Sequence, residues 1–307
     1  MSNSPQGRVT VVGSLNMDLV ARTPRQPRPG ETISGHGFKQ VAGGKGGNQA
    51  VAAARLGAHV AMIGCIGDDS NGAILKSALE AEGIDCTALA TSTSASTGVA
   101  LIVVDDASQN SIVVVAGSNA EVSPADIAEQ EALIASADVI VCQLETPVDT
   151  VRAALAAGRR LQRTTILNPA PAAHKLPIDW FPLIDYLIPN ELEAATLSGV
   201  TINKPDDARR AAEMLKAKGA RNVIVTLGSE GVFALLDDGT ASLFQTQKVE
   251  AIDTTAAGDT FVGGFAAELA RGSAVADAIA FGQRAAAIAV TREGAQPSIP
   301  HRHEISA

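Results

Sequence analysis

Short apolar runs, closed by glycines and polar loops, alternate with amphipathic stretches along most of this chain. Val9-Thr10-Val11-Val12-Gly13-Ser14 predicts a buried first strand ending in a Gly-Ser turn, with Asn16 and Asp18 just past it. From about residue 122 the alternation becomes regular. Helices are predicted over 123–135, 147–161, 191–197, 206–218 and about 275–292, and strands over 139–142, 165–168, 183–188, 222–226 and 232–236. Such alternation specifies a doubly wound α/β fold, a mostly parallel sheet flanked by helices. Two stretches depart from it. Residues 19–41 are proline-rich and alternate over 31–38, and 97–104 faces 111–115 across a polar turn; both predict strands of a small β lid outside the main sheet. No repeat or low-complexity linker divides the chain, so residues 1–307 are expected to form one domain.

Composition narrows the chemistry. Aromatic residues are 3% of a chain that is 46% hydrophobic, so the core must be built from Ala, Val, Ile and Leu, and a flat ligand finds few rings to stack on. The net charge of −9, without a run of like charge, argues against a nucleic-acid or anionic-membrane surface. A phosphorylated ligand then needs local help from backbone N–H groups, a few Lys or Arg side chains and a metal ion. Cys65, Cys86 and Cys142 are odd in number and form no CxxC pair, which argues against a disulfide framework or a zinc site. With a polar N-terminus, residues 1–8, and no long apolar stretch, a cytoplasmic protein is expected. His301, His303 and Glu304 read as a solvated polar tail.

Two glycine-bearing stretches carry candidate chemistry. In Asp253-Thr254-Thr255-Ala256-Ala257-Gly258-Asp259, small residues lead into an acid that opens an apolar helix. Ala256, Ala257 and Gly258 can turn without bulk, leaving N–H groups free at the positive end of a helix dipole, which suits a phosphate. Asp259 would repel that anion but is well placed to take a proton from an attacking hydroxyl; an ordinary N-cap acid gives the same pattern. Gly263 and Gly264 inside the helix indicate close backbone approach. The second stretch, Gly43-Gly44-Lys45-Gly46-Gly47-Asn48, bares backbone at the start of an alanine-rich helix that Gly57 can end. It is neither a Walker A loop nor a dinucleotide fingerprint, and a flexible hinge remains the plain alternative. Polar groups also collect where strands are predicted to finish: Asn16, Asp18, Glu145, Asn168, Asn190, Glu193 and 226–231. In a parallel sheet that edge holds the ligand.

Together the two stretches resemble the PfkB-type carbohydrate kinase family, and the resemblance runs from Val11 to Ser298. It implies an ATP-dependent kinase that phosphorylates D-ribose at its 5-hydroxyl, with another sugar such as deoxyribose, or a nucleoside, as the alternative. By the resemblance, Asn16, Asp18, Gly44, Lys45, Gly46, Gly47, Asn48 and Glu145 would hold the sugar. Asp259 would be the base, with Ala256, Ala257 and Gly258 as the anion hole. Asn190, Thr226, Leu227, Gly228, Ser229, Glu230, Gly231, Gly258 and Gln283 would hold ATP, and Gln283 stands where some members carry histidine. Glu193 would support Mg²⁺ indirectly. Asp253, Thr255, Ala289, Arg292, Gly294 and Ser298 match a K⁺ site. A homodimer through the lid is implied as well.

Overall fold

The computed structural model describes residues 6–107, 109–171 and 175–305; residues 1–5 of the polar N-terminal stretch and Ser108 of the expected lid turn lie outside them. The strands are β1 (Arg8–Val12), β2 (Asn16–Thr23), β3 (Gly37–Gly43), β4 (His59–Gly67), β5 (Leu89–Ser92), β6 (Gly98–Asp105) and β7 (Asn110–Val115), then β8 (Val139–Cys142), β9 (Thr164–Leu167), β10 (Tyr186–Leu187), β11 (Asn222–Thr226), β12 (Val232–Leu235) and β13 (Ala241–Phe244). The helices are α1 (Lys45–Arg55), α2 (Ser70–Ala81), α3 (Pro124–Glu129), α4 (Glu131–Ser136), α5 (Val148–Arg160), α6 (Glu191–Ser198), α7 (Pro205–Ala217), α8 (Ala257–Ala270) and α9 (Val275–Ala289).

The main sheet runs β13-β12-β11-β10-β9-β8-β1-β4-β5 and is parallel except at its β11-β12-β13 end. Period-two alternation along the buried strands feeds two cores. Val9, Val11, Val139, Val141, Ile166 and Ile224 meet α1, α8 and α9, while Val12, Ile140, Cys142, Leu167, Val223 and Val225 meet α5, α6 and α7. The lid is a separate sheet, β3-β2-β6-β7. The doubly wound sheet and the lid are as expected.

Several boundaries differ. Asn16 and Asp18 open lid strand β2 instead of lying in a loop, so the hydroxyl-binding candidates ride on the lid itself. No strand forms over 31–36. The helix expected over 123–135 is two helices, because Gln130 leaves helical geometry and caps both. Only Tyr186 and Leu187 of the 183–188 stretch pair as a strand; a 3-10 turn precedes them and contains Pro182, which lacks an N–H for a ladder. The last helix stops at Ala289, which leaves 290–298 as loop and a short turn. The polar end is not a solvated tail: Arg302 donates to Leu56 O at 2.8 Å and pairs with Glu268, and Arg292 pairs with Glu304. Among the described residues no helix is long and apolar enough to cross a membrane.

Candidate active site

The carboxyl ends of β1, β8, β9, β10 and β11 deliver Ser14, Glu145, Asn168, Asn190 and Thr226 to one edge, and α8 points its N-terminus at the same place. Ala256 caps that helix in the left-handed region, with φ 58°. A non-glycine residue there costs about 1–2 kcal/mol, the kind of strain kept where a ligand needs the backbone turned. The Ala257 N–H donates to Thr254 O at 3.2 Å. Of the three expected anion-hole donors, Ala256 and Gly258 keep N–H groups without an acceptor among the described residues.

Asp259, 8% exposed, sits in the first turn of α8. Its Oδ2 accepts from Asn48 Nδ2 and its Oδ1 from Gln49 Nε2, both at 2.9 Å. Gly263 makes this possible: a Cβ there would lie 2.4 Å from Ala52 Cβ and 2.8 Å from Gln49 O, so only glycine lets α8 settle onto α1. The close approach expected from the sequence is therefore this helix pair.

On the sugar side, Glu145 Oε2 accepts from Ser14 Oγ at 2.6 Å and from the Lys45 N–H at 3.0 Å. Asn16 Oδ1 is held by Asn119 Nδ2 at 2.8 Å, which frees the Asn16 amide hydrogens for a ligand. Asn48 Oδ1 is buried without a partner and can accept one. Burial pushes the Asp18 carboxyl up to about 7, with Glu145 and Asp259 adding and Lys45 opposing. Burial would lower the Lys45 ammonium, but the carboxylates of Asp259, Glu145, Glu193 and Asp18 outweigh it and hold it above its ordinary value. Gly44, at φ 83°, turns the chain into α1, and its Cβ would lie 2.7 Å from Asn16 N. Gly46 and Gly47 lie within α1 and give their N–H groups to Ser14 Oγ and Ser14 O, so they pack the helix on β1's end and do not bare backbone to a ligand.

A cavity of about 210 Å³ lies between these groups and α8, lined by Lys45, Asn168, Asn190, Glu193, Ala256 and Asp259 among others. It shares Thr226, Thr254, Ala257 and Gly258 with a larger one of about 650 Å³. Gly228, Ser229, Glu230, Gly231 and Gln283 line the larger cavity, whereas Leu227 turns into the core. Gln283 spends its Nε2 on Phe244 O at 2.8 Å, strapping β13's end to α9. Asn190 and Glu193 form a capping box at the start of α6. Burial raises the Glu193 carboxyl, against the Asn190 N–H and Lys45.

Asp253 ties the α8 loop to the segment after α9. Its Oδ1 accepts from the Thr255 N–H at 2.9 Å and from Thr255 Oγ1 at 2.6 Å, and its Oδ2 accepts from the Gly294 N–H at 2.9 Å. Partial burial raises its proton affinity, but those bonds and the charge of Arg22 hold it below the usual carboxylate range. The donor set of Asp253, Thr255, Ser298 and the backbone carbonyls of Ala289, Arg292 and Gly294 is all oxygen with a single carboxylate, which fits a large monovalent cation. The Arg292 side chain takes no part, being paired with Glu304. Among the described residues no three His, Cys, Asp or Glu side chains cluster as a resident metal site needs.

Gln49, Gln143, Asn119 and Ser14 were not singled out by the sequence. Gln49 had a signal, as the neighbour of Asn48 in the glycine stretch; Asn119 had none.

The chain is 46% identical over 296 residues to a ribokinase of Haemophilus influenzae, covering 96% of each. It is 39% identical over 308 residues to a ribokinase of Schizosaccharomyces pombe, covering 97% of this chain and 96% of the other. The structure of an Arabidopsis thaliana ribokinase complexed with ribose and ATP superposes with a TM-score of 0.91 at 28% identity over 98% of both chains. The pfkB family carbohydrate kinase pattern matches residues 6–302, and this chain belongs to that family.

Proposed function

We propose that this protein transfers the γ-phosphoryl group of ATP to the 5-hydroxyl of D-ribose, giving D-ribose 5-phosphate and ADP. The observation that carries this reading is the Asp259 carboxylate, fixed by two amides at a helix N-terminus, between a hydroxyl-binding wall and a cavity of nucleotide size.

The free amide hydrogens of Asn16, the unpartnered Asn48 Oδ1 and the carboxylates of Asp18 and Glu145 suit vicinal hydroxyls. Asp259 orients the primary hydroxyl and takes its proton as the oxygen attacks the γ-phosphorus and the bond to the β–γ bridging oxygen breaks. The free N–H groups at the start of α8 and the Lys45 ammonium face the charge that spreads over the transferring group. In a loose transition state the proton leaves late, so positioning counts for more than basicity. Mg²⁺ bound to the phosphates would neutralise charge, with Glu193 reaching it through water. K⁺ held by the Asp253 loop would stiffen the turn at Ala256.

β7 is exposed along its whole length, with Ile112, Val113, Val114 and Val115 open to solvent beside Leu101. A long apolar edge strand of this kind supports a homodimer through the lid. Three free, buried cysteines support a reducing, cytoplasmic setting. The test is ADP release over a panel of pentoses, hexoses and nucleosides. D-ribose should give the highest kcat/KM, and a hexose or nucleoside clearly ahead of it would overturn the assignment.

A further inference from the structure

We propose that Gln49 is the positioning residue for Asp259, with Gln143 and Asn168 fixing its orientation. The inference rests on Asp259 being the base. Gln49 is wholly buried, and every hydrogen bond of its side-chain amide goes to another side chain. One Nε2 hydrogen goes to Asp259 Oδ1 at 2.9 Å and the other to Asn168 Oδ1 at 3.0 Å. Its Oε1 accepts from Gln143 Nε2 at 2.7 Å. Asn168 cannot turn away, because its own Nδ2 donates to Ile188 O at 2.9 Å.

This arrangement has one stable sense. Reversing the Gln49 amide would set its oxygen against both Asp259 Oδ1 and Asn168 Oδ1, and its hydrogens against those of Gln143. The donor facing Asp259 is therefore fixed by the ends of β8 and β9. With Asn48 on the other oxygen, the carboxylate is held at two points, which sets its plane as well as its place. Each oxygen keeps a lone pair for the cavity.

The test compares kcat and KM for both substrates in Gln49→Met, Gln49→Glu, Asp259→Asn and the double variant Asp259→Asn/Gln49→Met. Gln49→Met should lose about 10- to 100-fold in kcat, the scale of a misplaced reacting group, with both KM values within about threefold of wild type. Gln49→Glu keeps the length and the acceptor for Gln143, so it carries the same expectation should the Met variant not fold. In the Asp259→Asn background Gln49→Met should cost nothing further, because it acts through the carboxylate. The proposal is overturned if either single variant keeps kcat within about twofold of wild type, or if Gln49→Met costs the same factor in both backgrounds. High activity in Asp259→Asn itself would instead remove the base on which the proposal rests.

Discussion

Asn48 Nδ2 donates to Asp259 Oδ2 at 2.9 Å, joining two residues 211 positions apart in the chain. The bond makes Asp259→Asn an informative variant. The new amide places a donor toward one of the two that now hold the carboxylate, and Asn48, whose Oδ1 is unpartnered, can flip to receive it. The variant should therefore fold and bind ATP while kcat falls by about 10²–10⁴. If it keeps more than about a tenth of wild-type kcat, Asp259 is a cap and not a base.

Asp18 gives a pH dependence. Its folded value of about 7 lies above its ordinary one of 3.8, so between those values the folded state holds more protons than the unfolded state. Stability from this group is lost as pH rises through that window. Asp18→Asn should raise Tm at pH 8 and leave it nearly unchanged at pH 4, while weakening sugar binding most at pH 8, where the wild-type carboxylate is ionised. In the wild type, KM for the sugar should rise as pH falls below about 7 and the acceptor is protonated. Equal Tm differences at the two pH values would show that Asp18 is not desolvated as described.

Gly263→Ala probes the α1–α8 contact. The added methyl would meet Ala52 Cβ and backbone atoms of α1, so the helices must part. Overpacking of this sort costs about 1–3 kcal/mol, read as a lower Tm. Because Asn48 and Gln49 travel with α1, kcat should fall as well. Unchanged kcat at a lowered Tm would mean that the amides follow Asp259 when the helices part.

The Asp253 loop predicts cation dependence. K⁺ should raise kcat over potassium-free Tris, and Asp253→Ala should abolish the increase by removing the carboxylate that ties Thr255 to Gly294. Equal rates with and without K⁺ would refute the role given to the loop.

Much of this was legible because it is local. Buried parallel strands such as Val139–Cys142 read as short apolar runs, and the glycine-acid stretch announces a helix start near Asp259. The region from His59 to Ser92, which holds β4, α2 and β5, gave no such signal. The His59–Gly67 strand is buried on both faces and broken by glycine, so it has no periodicity to tell it from a helix segment. The site's supporting amides were hidden for another reason. Gln143 and Asn119 matter through partners 94 to 104 positions away, and nothing in their neighbours along the chain records those pairings.

The packing of α1 on α8 also governs how the protein comes into being. Ala50, Val51, Ala52 and Ala53 are fully covered in the finished molecule, yet the helix that covers much of them is among the last parts of the chain to be made. During synthesis the amino-terminal half carries an apolar stripe with no native cover, the kind of surface chaperones hold. A chain truncated before Ala256 would lack the helix, the base and the turn at once, so an incomplete product can neither settle nor consume ATP.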